Sequence, residues 1–305
     1  MTAVAFLGAL DLGLIYSLVA LGLLVSYRVL NIADMTSDGS FTLGAAVCGI
    51  LTAGGHPLLG ILAGSVAGML AGVVTGLLQT KLRVQPILAG IITMVGLYSV
   101  NLMVMGGRSN ITLLRTETLY TLSEGALPLE AGRLLLLCAI AFVVCLGLYS
   151  FFQTRLGLCI RATGDNREMV CASGVNPEGA VLVGLALANG LIALSGALLA
   201  QYQQFCEITI GTGMVVLGLA SLIIGEVLVG GEGLASRLLG AVAGSVLYRI
   251  LMAAALAADI PAYNLKLVSA LLVAAAISIP ALREQAAVYQ LRKAGGRHAD
   301  RSESV

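Results

Sequence analysis

The sequence is poor in charged residues, in histidine and in tryptophan. Lys, Arg, Asp and Glu make up 11% of the 305 residues, against about 25% in soluble domains. His56 and His298 are the only histidines, and the sequence has neither an HExxH pair nor a GxxxxGK[ST] phosphate loop. We therefore expect no catalytic residues, no metal site and no cofactor bound to this chain, and any ATP hydrolysis must come from another chain.

The six cysteines form no CxxC pair. Most of them fall in apolar segments, where free cysteine behaves as a small hydrophobic residue, so we expect no disulfide framework. The net charge of +1 gives no indication of a nucleic-acid partner. The cysteines are Cys48, Cys138, Cys145, Cys159, Cys171 and Cys206.

Apolar sequence is abundant. Hydrophobic residues make up 58% of the chain, and the mean hydropathy is +0.98. A membrane-spanning helix requires about 20 mostly apolar residues, and such stretches recur along the whole chain. We predict a single domain over 1–305, an all-α integral membrane protein with about nine transmembrane helices (eight to ten). The predicted spans are 4–27, 38–54, 58–80, 84–106, 133–152, 178–203, 212–231, 238–258 and 264–282.

The distribution of basic residues orients these spans. Of the 17 lysines and arginines, only Arg108, Arg115, Arg133 and Lys266 flank one alternating set of span ends, and Arg249 lies inside a span. The others flank the opposite set, and such an excess marks the cytoplasmic side. This places the loop 153–177 and the basic tail 283–305 in the cytoplasm and the N-terminus outside. If the short span 38–54 were a re-entrant hairpin, the N-terminus would lie inside.

Two segments of the chain resemble each other. LLGILAGSV (58–66) and LLGAVAGSV (238–246) are identical at seven of nine positions. The copies lie in the third and eighth predicted spans, an odd number of spans apart, which gives them opposite orientations. Inverted repeats with broken helices are typical of transporters. We therefore predict a first repeat of about 4–106, a linking span 133–152 and a second repeat of about 178–282.

Glycine recurs at every fourth position of the third predicted span. Small residues at this spacing let a neighbouring helix approach closely, so we predict a ridge for helix packing. Its residues are Gly60, Gly64, Gly68, Gly72 and Gly76.

The loop TRLGLCIRATGDNREMVCASGVNPEG (154–179) carries two helix-start signatures. Asp165 and Glu168 have the spacing of a capping box, and Gly174 fits the position that ends a helix. The Asn-Pro-Glu sequence at 176–178 then starts the next span. An ordinary solvated loop does not need two capping signatures, so we predict a short helix, parallel to the membrane, that docks a partner.

The residues of this loop carry a resemblance. RATGDNREMVCASGVN (161–176), followed by ALANGLIALSGALLAQYQ (186–203), resembles the permeases of ABC importers, in the branch with branched-chain amino acid, ribose and tryptophan-type permeases. DMTSDGSFTLGAAV (34–47) and GLASLIIGEVLVG (218–230) are most similar to uncharacterised tryptophan/tyrosine-type members. The similarity covers nearly the whole chain, and the motifs occur in the family's order.

The resemblance implies a permease subunit of a binding-protein-dependent ABC importer in the bacterial inner membrane. Such a subunit pairs with a second permease copy, here expected as a homodimer, with two cytoplasmic ATPases that hold ATP and magnesium, and with an extracytoplasmic substrate-binding protein. A short cytoplasmic helix sits in a cleft of the ATPase and transmits its closure. The coupling residues implied here are Arg161, Thr163, Gly164, Asp165, Asn166, Met169, Gly174 and Asn176.

Polar groups within the predicted spans are candidates for a translocation path. Such groups are costly in lipid and usually face the interior of the bundle. Most of them serve hydrogen bonds between helices, which is the alternative here. The candidates are Ser37, Asp38, Ser40, Thr42, Tyr98, Asn101, Asn189, Thr212 and Glu226, with Ser195 beside them on the sixth span.

Glu226 and Arg249 are charged residues of the seventh and eighth predicted spans. Helical side chains lean toward the helix N-terminus, so Arg249 should lean toward the cytoplasmic side, where Glu226 also lies. We hypothesise that the two residues pair; the alternative is that each is hydrated separately.

The stretch NIADMTSDGSFTLGA (31–45) is predicted to form the cytoplasmic-side turn between the first two spans. Asp38 or Ser37 can cap the short span that follows, and Gly39 lets backbones come close. We interpret that span as a half-helix whose N-terminal amides point into the protein, with ITIGTGMVVLGLA (208–220) as its repeat counterpart. Such an end can meet an anionic group such as an amino acid carboxylate, although structural capping is the preferred interpretation.

Two other classes of function fit the sequence less well than an ABC permease. An ion-coupled secondary transporter would carry acidic residues at mid-bilayer, where Glu226 is the only clear candidate, and an integral membrane enzyme finds no support. The resemblance favours a hydrophobic or aromatic amino acid as the substrate, with branched-chain amino acids, nucleosides and sugars as alternatives.

Overall fold

The described part of the chain is almost entirely helical and membrane-spanning in character. The computed structural model describes residues 3–114, 116–123, 129–231 and 233–257, together with 267–271, 273, 274 and 278. Within them, six helices are long and apolar enough to cross a membrane: Val4–Val29, Pro57–Thr80, Pro86–Val104, Gly132–Gln153, Pro177–Gln203 and Leu234–Ala257. The prediction of an all-α integral membrane protein is confirmed.

The elements follow one another in an order close to the predicted one. Helix α1 (Ala3–Leu23) continues into a π-helix, Leu24–Val29. The other helices are α2 (Ser37–Ala53), α3 (Pro57–Thr80), α4 (Pro86–Val104), α5 (Leu119–Ser123), α6 (Leu129–Gln153), α7 (Arg155–Asp165), α8 (Arg167–Ala172), α9 (Pro177–Gln203), α10 (Met214–Val229) and α11 (Leu234–Ala257). The short strands β1 (Asn110–Thr112) and β2 (Phe205–Glu207) pair antiparallel.

Each of the first eight predicted spans corresponds to one helix. The second and seventh spans are the shortest, since α2 has 17 residues and α10 has 16. At 1.5 Å per residue each is about 25 Å long, less than the hydrocarbon core of a bilayer. Most of the ninth predicted span, 264–282, lies outside the described residues, as do the tail 283–305, Arg115 and Lys266.

Proline begins three of the long helices. Pro57, Pro86 and Pro177 each occupy the first turn of α3, α4 and α9, where the missing amide proton leaves no hydrogen bond unmade. Gly230, with a φ of 60°, ends α10 in the left-handed conformation that glycine adopts without strain. Local sequence therefore sets where these helices begin and end.

Helix α9 is the centre of the bundle. In its most apolar window 67% of the residues are buried, whereas the corresponding window of the peripheral α6 is 17% buried. Helices α1, α2 and α3 all pack against α9. The position of α9 therefore sets the positions of the helices that carry most of the polar groups.

The glycine ridge of α3 lies against α2 and α9. A Cβ atom on Gly64 would approach the carbonyl oxygen of Gly44 in α2 to 2.8 Å, and one on Gly72 would overlap the carbonyl oxygen of Leu185 in α9. Gly60, Gly68 and Gly76 are similarly close to these two helices. Backbones in contact at this distance leave no room for a side chain.

The two similar segments make similar contacts. Ser65 of α3 donates a hydrogen bond to the carbonyl oxygen of Gly190 in α9 at 3.1 Å, and its counterpart Ser245 of α11 donates to that of Gly13 in α1 at 2.8 Å. Helix α3 also packs on its neighbour α2, as α11 packs on α10. Each helix pair thus packs against the first helix of the other predicted repeat.

Replacement of Gly72 by alanine should destabilise the bundle. The added methyl group overlaps the backbone of α9, and overpacking of this kind costs about 1–3 kcal/mol. Thermal unfolding in detergent should show a lower midpoint for Gly72→Ala. Gly96→Ala is the matched control, because a Cβ at this helical glycine has no heavy atom within 4 Å. A lower midpoint for Gly96→Ala alone would contradict the described packing.

Candidate functional site

A cluster of buried polar groups lies where α2 begins. Ser40, in the first turn of α2, donates a hydrogen bond to Oδ1 of Asn189 at 2.7 Å, and Nδ2 of Asn189 donates to Oδ2 of Asp34 at 2.6 Å. All three residues are buried. Because Asn189 lies near the middle of α9, α2 begins deep in the bundle rather than at its surface.

Asp34 accepts two hydrogen bonds at the start of α2. Its Oδ1 accepts a hydrogen bond from the backbone amide of Thr36 at 2.9 Å, and its carbonyl oxygen accepts one from the hydroxyl of Ser37. The prediction that Asp38 or Ser37 caps this helix is wrong, since both residues already lie within it and its N-cap is Thr36, whose side chain makes no capping hydrogen bond. The helix starts one residue earlier than predicted, so the acidic group in front of it is Asp34.

Asp38 binds the start of the other short helix. Its Oδ2 accepts a hydrogen bond from the backbone amide of Gly213, and its Oδ1 accepts one from that of Val215, both at 2.9 Å. These amides belong to the N-terminal end of α10, where a helix leaves its amides unpaired and carries partial positive charge. One carboxylate of α2 therefore caps α10.

The contact between the two short helices extends beyond this carboxylate. The amide of Gly211 donates to the hydroxyl of Thr42 at 3.2 Å, and this hydroxyl donates to the carbonyl oxygen of Asp38 at 3.1 Å. A Cβ on Gly211 would overlap the same carbonyl. The segments 31–45 and 208–220 were predicted to be repeat counterparts. They are in direct contact where α2 and α10 begin.

The other candidate path residues differ in how close they lie to this cluster. Asn101 is buried and donates to the carbonyl oxygen of Gly39 at 3.3 Å. Thr212 is exposed beside the contact of α2 with α10, and Tyr98 is 55% exposed on α4. Ser195 donates to the carbonyl oxygen of Ile15 at 2.7 Å, a hydrogen bond between α9 and α1.

The hypothesis that Glu226 pairs with Arg249 is wrong. Glu226 forms an ion pair with Arg28, at the end of the π-helix. The guanidinium of Arg249 lies over the ring of Tyr16, 3.8 Å from its centroid, as a cation–π contact. Glu226 is one turn from the end of α10, whereas Arg249 contacts Tyr16 within α1.

The prediction that Glu226 is the only clear acidic residue at mid-bilayer is wrong. Its side chain is 26% exposed at the end of α10, whereas Asp34 is 3% exposed and Asp11 is 6% exposed. The sequence signal that could have identified Asp34 is its place three residues before the first residue of α2, because an Asp at such a turn binds nearby amides.

Basic residues collect at one end of the bundle, here called the basic end. A cavity of about 580 Å³ is lined there by Arg28, Asp165, Glu226 and Arg237. A second cavity, of about 440 Å³, is lined by residues that include Arg83 and Arg167. The loop between α6 and α9 covers this end.

This loop consists of two helices, each capped by a side chain. Thr154 accepts from the amide of Gly157 at 3.3 Å and caps α7, and Asn166 accepts from that of Met169 at 3.0 Å and caps α8. Asn176 caps α9 in the same way, by accepting from the amide of Glu178 at 2.9 Å. The three caps fix the directions in which the loop enters and leaves the bundle.

The predicted capping box is wrong by one residue. Asp165 is the last residue of α7, so the N-cap of α8 is Asn166 and Glu168 lies one position too early to complete the box. Helix α7 was not predicted, and it extends the helical structure back to Arg155. The predicted helix end at Gly174, whose φ is +76°, and the predicted start of α9 at Asn176 are confirmed.

The loop presents one face to the bundle and another to solvent. Thr163 is buried and donates to the carbonyl oxygen of Cys159 at 2.8 Å. Gly164 touches the backbone of Val29 so closely that a Cβ would overlap its carbonyl oxygen. Arg161 and Met169 are exposed, and Met169 is 68% exposed although it is apolar. Asp165, Asn166 and Asn176 are exposed as well.

Short helices that meet inside a membrane bundle are typical of multi-pass transport proteins. Residues 5–276 match the family model described as "Branched-chain amino acid transport system / permease component". The chain belongs to this family, and is a permease component of an ABC-type transport system in the cell membrane, which in bacteria is the inner membrane.

Two relatives cover most of the chain. A "Tyrosine transport system permease protein" of Clostridioides difficile is 34% identical over 263 residues, which are 86% of this chain and 86% of that protein. An uncharacterized protein of Rickettsia prowazekii is 35% identical over 221 residues, or 72% of this chain and 75% of that protein. No solved structure matches the chain.

Replacement of Asn189 by leucine tests the buried cluster. The side chains have similar volumes, so the change removes the hydrogen bonds to Asp34 and Ser40 without opening a large cavity. A buried group that loses its partner costs about 1–3 kcal/mol, and more if it is charged. We expect a clearly lower midpoint of thermal unfolding for Asn189→Leu than for Ser195→Ala, which removes one neutral hydrogen bond from the same helix. Equal midpoints for these two variants would contradict the role given to the Asp34 carboxylate.

Proposed function

We propose that this chain forms the translocation path of a binding-protein-dependent importer that separate ATPase subunits drive. The observation that carries the proposal is the loop of α7 and α8. It is capped at each helix start, anchored to the bundle by Gly164 and yet exposes Met169. An exposed apolar side chain on a rigidly held surface helix fits a docking site for another protein.

The proposed coupling residues then fall into three roles. Arg161, Asp165, Asn166 and Met169 are exposed and would contact the ATPase. Thr163 and Gly164 would hold the loop on the bundle. Gly174 and Asn176 would transmit its movement to α9, since they form the rigid connection between α8 and that helix.

The basic end would face the cytoplasm in this arrangement. Arg28, Arg83, Arg161, Arg167 and Arg237 line the cavities at this end, and cytoplasmic loops carry an excess of basic residues. The same orientation places the segment that precedes α10 toward the outside, where a substrate-binding protein would deliver the solute.

Two inverted repeats, about 4–106 and 178–282, are the proposed architecture of this path. The matching hydrogen bonds of Ser65 and Ser245 support this, as does the contact of α2 with α10. The path would be lined by the candidate residues around that contact: Ser37, Asp38, Ser40, Thr42, Asn101, Asn189 and Thr212.

A second copy of the chain is proposed to complete the path. Thr212 and Tyr98 are polar and exposed in the single chain, and polar groups at membrane depth usually face protein or water rather than lipid. A homodimer that covers these two residues would enclose them between its copies.

An ion-coupled secondary transporter is less well supported. Its ions would need acidic side chains that are free to bind them. The oxygen atoms of Asp34 accept hydrogen bonds from Thr36 and Asn189, and those of Asp38 accept hydrogen bonds from the start of α10. Both carboxylates are thus held by fixed donors of the protein.

A hydrophobic or aromatic amino acid is the proposed substrate. The relative from Clostridioides difficile is named for tyrosine transport, and it covers 86% of this chain. Branched-chain amino acids, which the family description mentions, are the nearest alternative. Nucleosides and sugars are further alternatives.

Replacement of Gly174 by valine should separate ATP hydrolysis from uptake. A β-branched residue is strained at the φ of +76°, so the connection between α8 and α9 would lose its geometry. In vesicles that contain the complete transporter, we expect uptake per ATP hydrolysed to fall by about tenfold, a change equivalent to 1.4 kcal/mol.

Gly179→Val is the matched control for this measurement. Gly179 lies five residues further on in α9, and a Cβ there has open space around it. Insertion into the membrane should be normal in both variants. Normal coupling in Gly174→Val would contradict the coupling role of the loop.

The proposed substrate can be tested by measuring ligand binding to the substrate-binding protein, which is the partner that selects the solute. The substrate-binding protein that works with this chain should show a higher melting temperature with tyrosine, phenylalanine or tryptophan, because ligand binding stabilises the folded state. Leucine, uridine and ribose serve as the comparison ligands. A shift with uridine or ribose and none with any amino acid would contradict the proposed substrate class.

A further inference from the structure

The cytoplasmic loop touches the end of α1 at an unusual backbone. Gly164 lies against the carbonyl oxygen of Val29, the last residue of the π-helix Leu24–Val29. π-Helical turns are rare and occur often at functional sites. The loop therefore contacts the residue next to Arg28, whose side chain leaves this same turn.

Arg28 connects this turn to α10. Its guanidinium forms the ion pair with Glu226, in the last turn of that helix. An acidic residue is unfavourable at the C-terminal end of a helix, where the backbone carries partial negative charge. Glu226 therefore depends on a cation beside it, and Arg28 supplies this cation from a different part of the chain.

The opposite end of α10 is the one capped by Asp38. Helix α10 is thus about 24 Å long and is held at each end by one charged side chain from the first predicted repeat. Arg28 holds its C-terminal end, on the cytoplasmic side. Asp38 holds its N-terminal end through the amides of Gly213 and Val215. Because a helix is stiff along its axis, a shift at one end moves the other.

We propose that Arg28 and Glu226 are positioning residues that transmit movement of the cytoplasmic loop to the contact between α2 and α10. In this mechanism the loop displaces the π-helix, and the ion pair carries α10 with it. Gly213 and Val215 then leave the Asp38 carboxylate, and the junction of the two short helices opens. The inference rests on the proposed coupling of the loop to an ATPase.

A second ion pair at the same end provides the control. Lys81 and Glu178 lie 3.0 Å apart and join the end of α3 to the start of α9. Their side chains are 65% and 33% exposed, against 44% and 26% for Arg28 and Glu226. Both pairs are thus partly exposed, but the Lys81 pair includes no residue of α10 or of the π-helix.

Replacement of Thr212 by cysteine places a chemical probe at the N-terminal end of α10. Thr212 is exposed and lies between Gly211 and Gly213, the residues whose amides bind Thr42 and Asp38. The background chain carries Cys138→Ser and Cys171→Ser, which remove the exposed cysteines. Burial raises the pKa of the nearby Cys206 thiol to about 12, so this thiol stays protonated and unreactive at neutral pH.

The experiment measures labelling of Thr212→Cys by a hydrophilic maleimide in nanodiscs that contain the complete transporter. The background chain without this cysteine gives the residual labelling. Rates are compared without nucleotide and with ATP trapped by vanadate. We expect the rate to change by about threefold or more between the two states, because the junction opens in one of them.

Arg28→Gln and Glu226→Gln should each abolish this change while the ATPase still associates and hydrolyses ATP. The charge-swapped double variant, Arg28→Glu with Glu226→Arg, should restore it, which distinguishes a lost ion pair from misfolding. Lys81→Gln should leave the change intact. An unaltered nucleotide response in Arg28→Gln, or an equal loss in Lys81→Gln, would overturn the proposal.

The proposed function and this inference can fail separately. If the ATPase does not associate with the chain that has Arg28 and Glu226 intact, the proposed function fails and the inference fails with it. If the ATPase associates and hydrolyses ATP but the labelling of Thr212→Cys does not respond to nucleotide, only the inference is overturned.

Discussion

The fold depends on how the backbone amides at the starts of two short helices find hydrogen-bond partners inside an apolar bundle. Helix α2 starts among buried residues, and α10 starts directly beside it. The first four amides of any helix lack partners within it. In a low-dielectric interior each unpaired amide costs several kcal/mol. Asp34 supplies an acceptor for α2, and Asp38 supplies two for α10. The two carboxylates thus pair backbone amides at the starts of both helices.

The carboxylates in turn require a closely packed surrounding. Asn189 can reach both Asp34 and Ser40 only because α2 lies directly against α9. Glycines make this approach possible: Gly44 touches the backbone of Ala193 in α9, and Gly211 fits against the carbonyl oxygen of Asp38. Small residues and buried acids are therefore parts of one arrangement, since the hydrogen bonds need short distances that larger side chains would prevent.

Local sequence patterns predicted much of this fold, but they could not predict which side chains pair across large distances in the sequence. Hydropathy located each of the first eight spans, and the caps at Asn176 and Gly174 followed from residue preferences at helix ends. The partners of Asp38 and Glu226 lie 175 and 198 residues away, and no local pattern indicates which helix end will approach. Neither hydropathy nor residue preferences at helix ends indicate the π-helix at the end of α1, so the position of Arg28 could not be predicted either.

The capping by Asp38 also limits what the junction can bind. The amides of Gly213 and Val215 would suit an anionic group of a solute, as the sequence suggested for a half-helix end. In the structure the Asp38 carboxylate occupies these donors. A solute carboxylate could reach them only after Asp38 has moved away, and Asp38 would then be a free acid in the same space. An amino acid carries both charges needed for such an exchange, because its carboxylate can replace Asp38 at the amides while its ammonium group pairs with the released side chain. Neither a sugar nor a nucleoside offers this pair of charges.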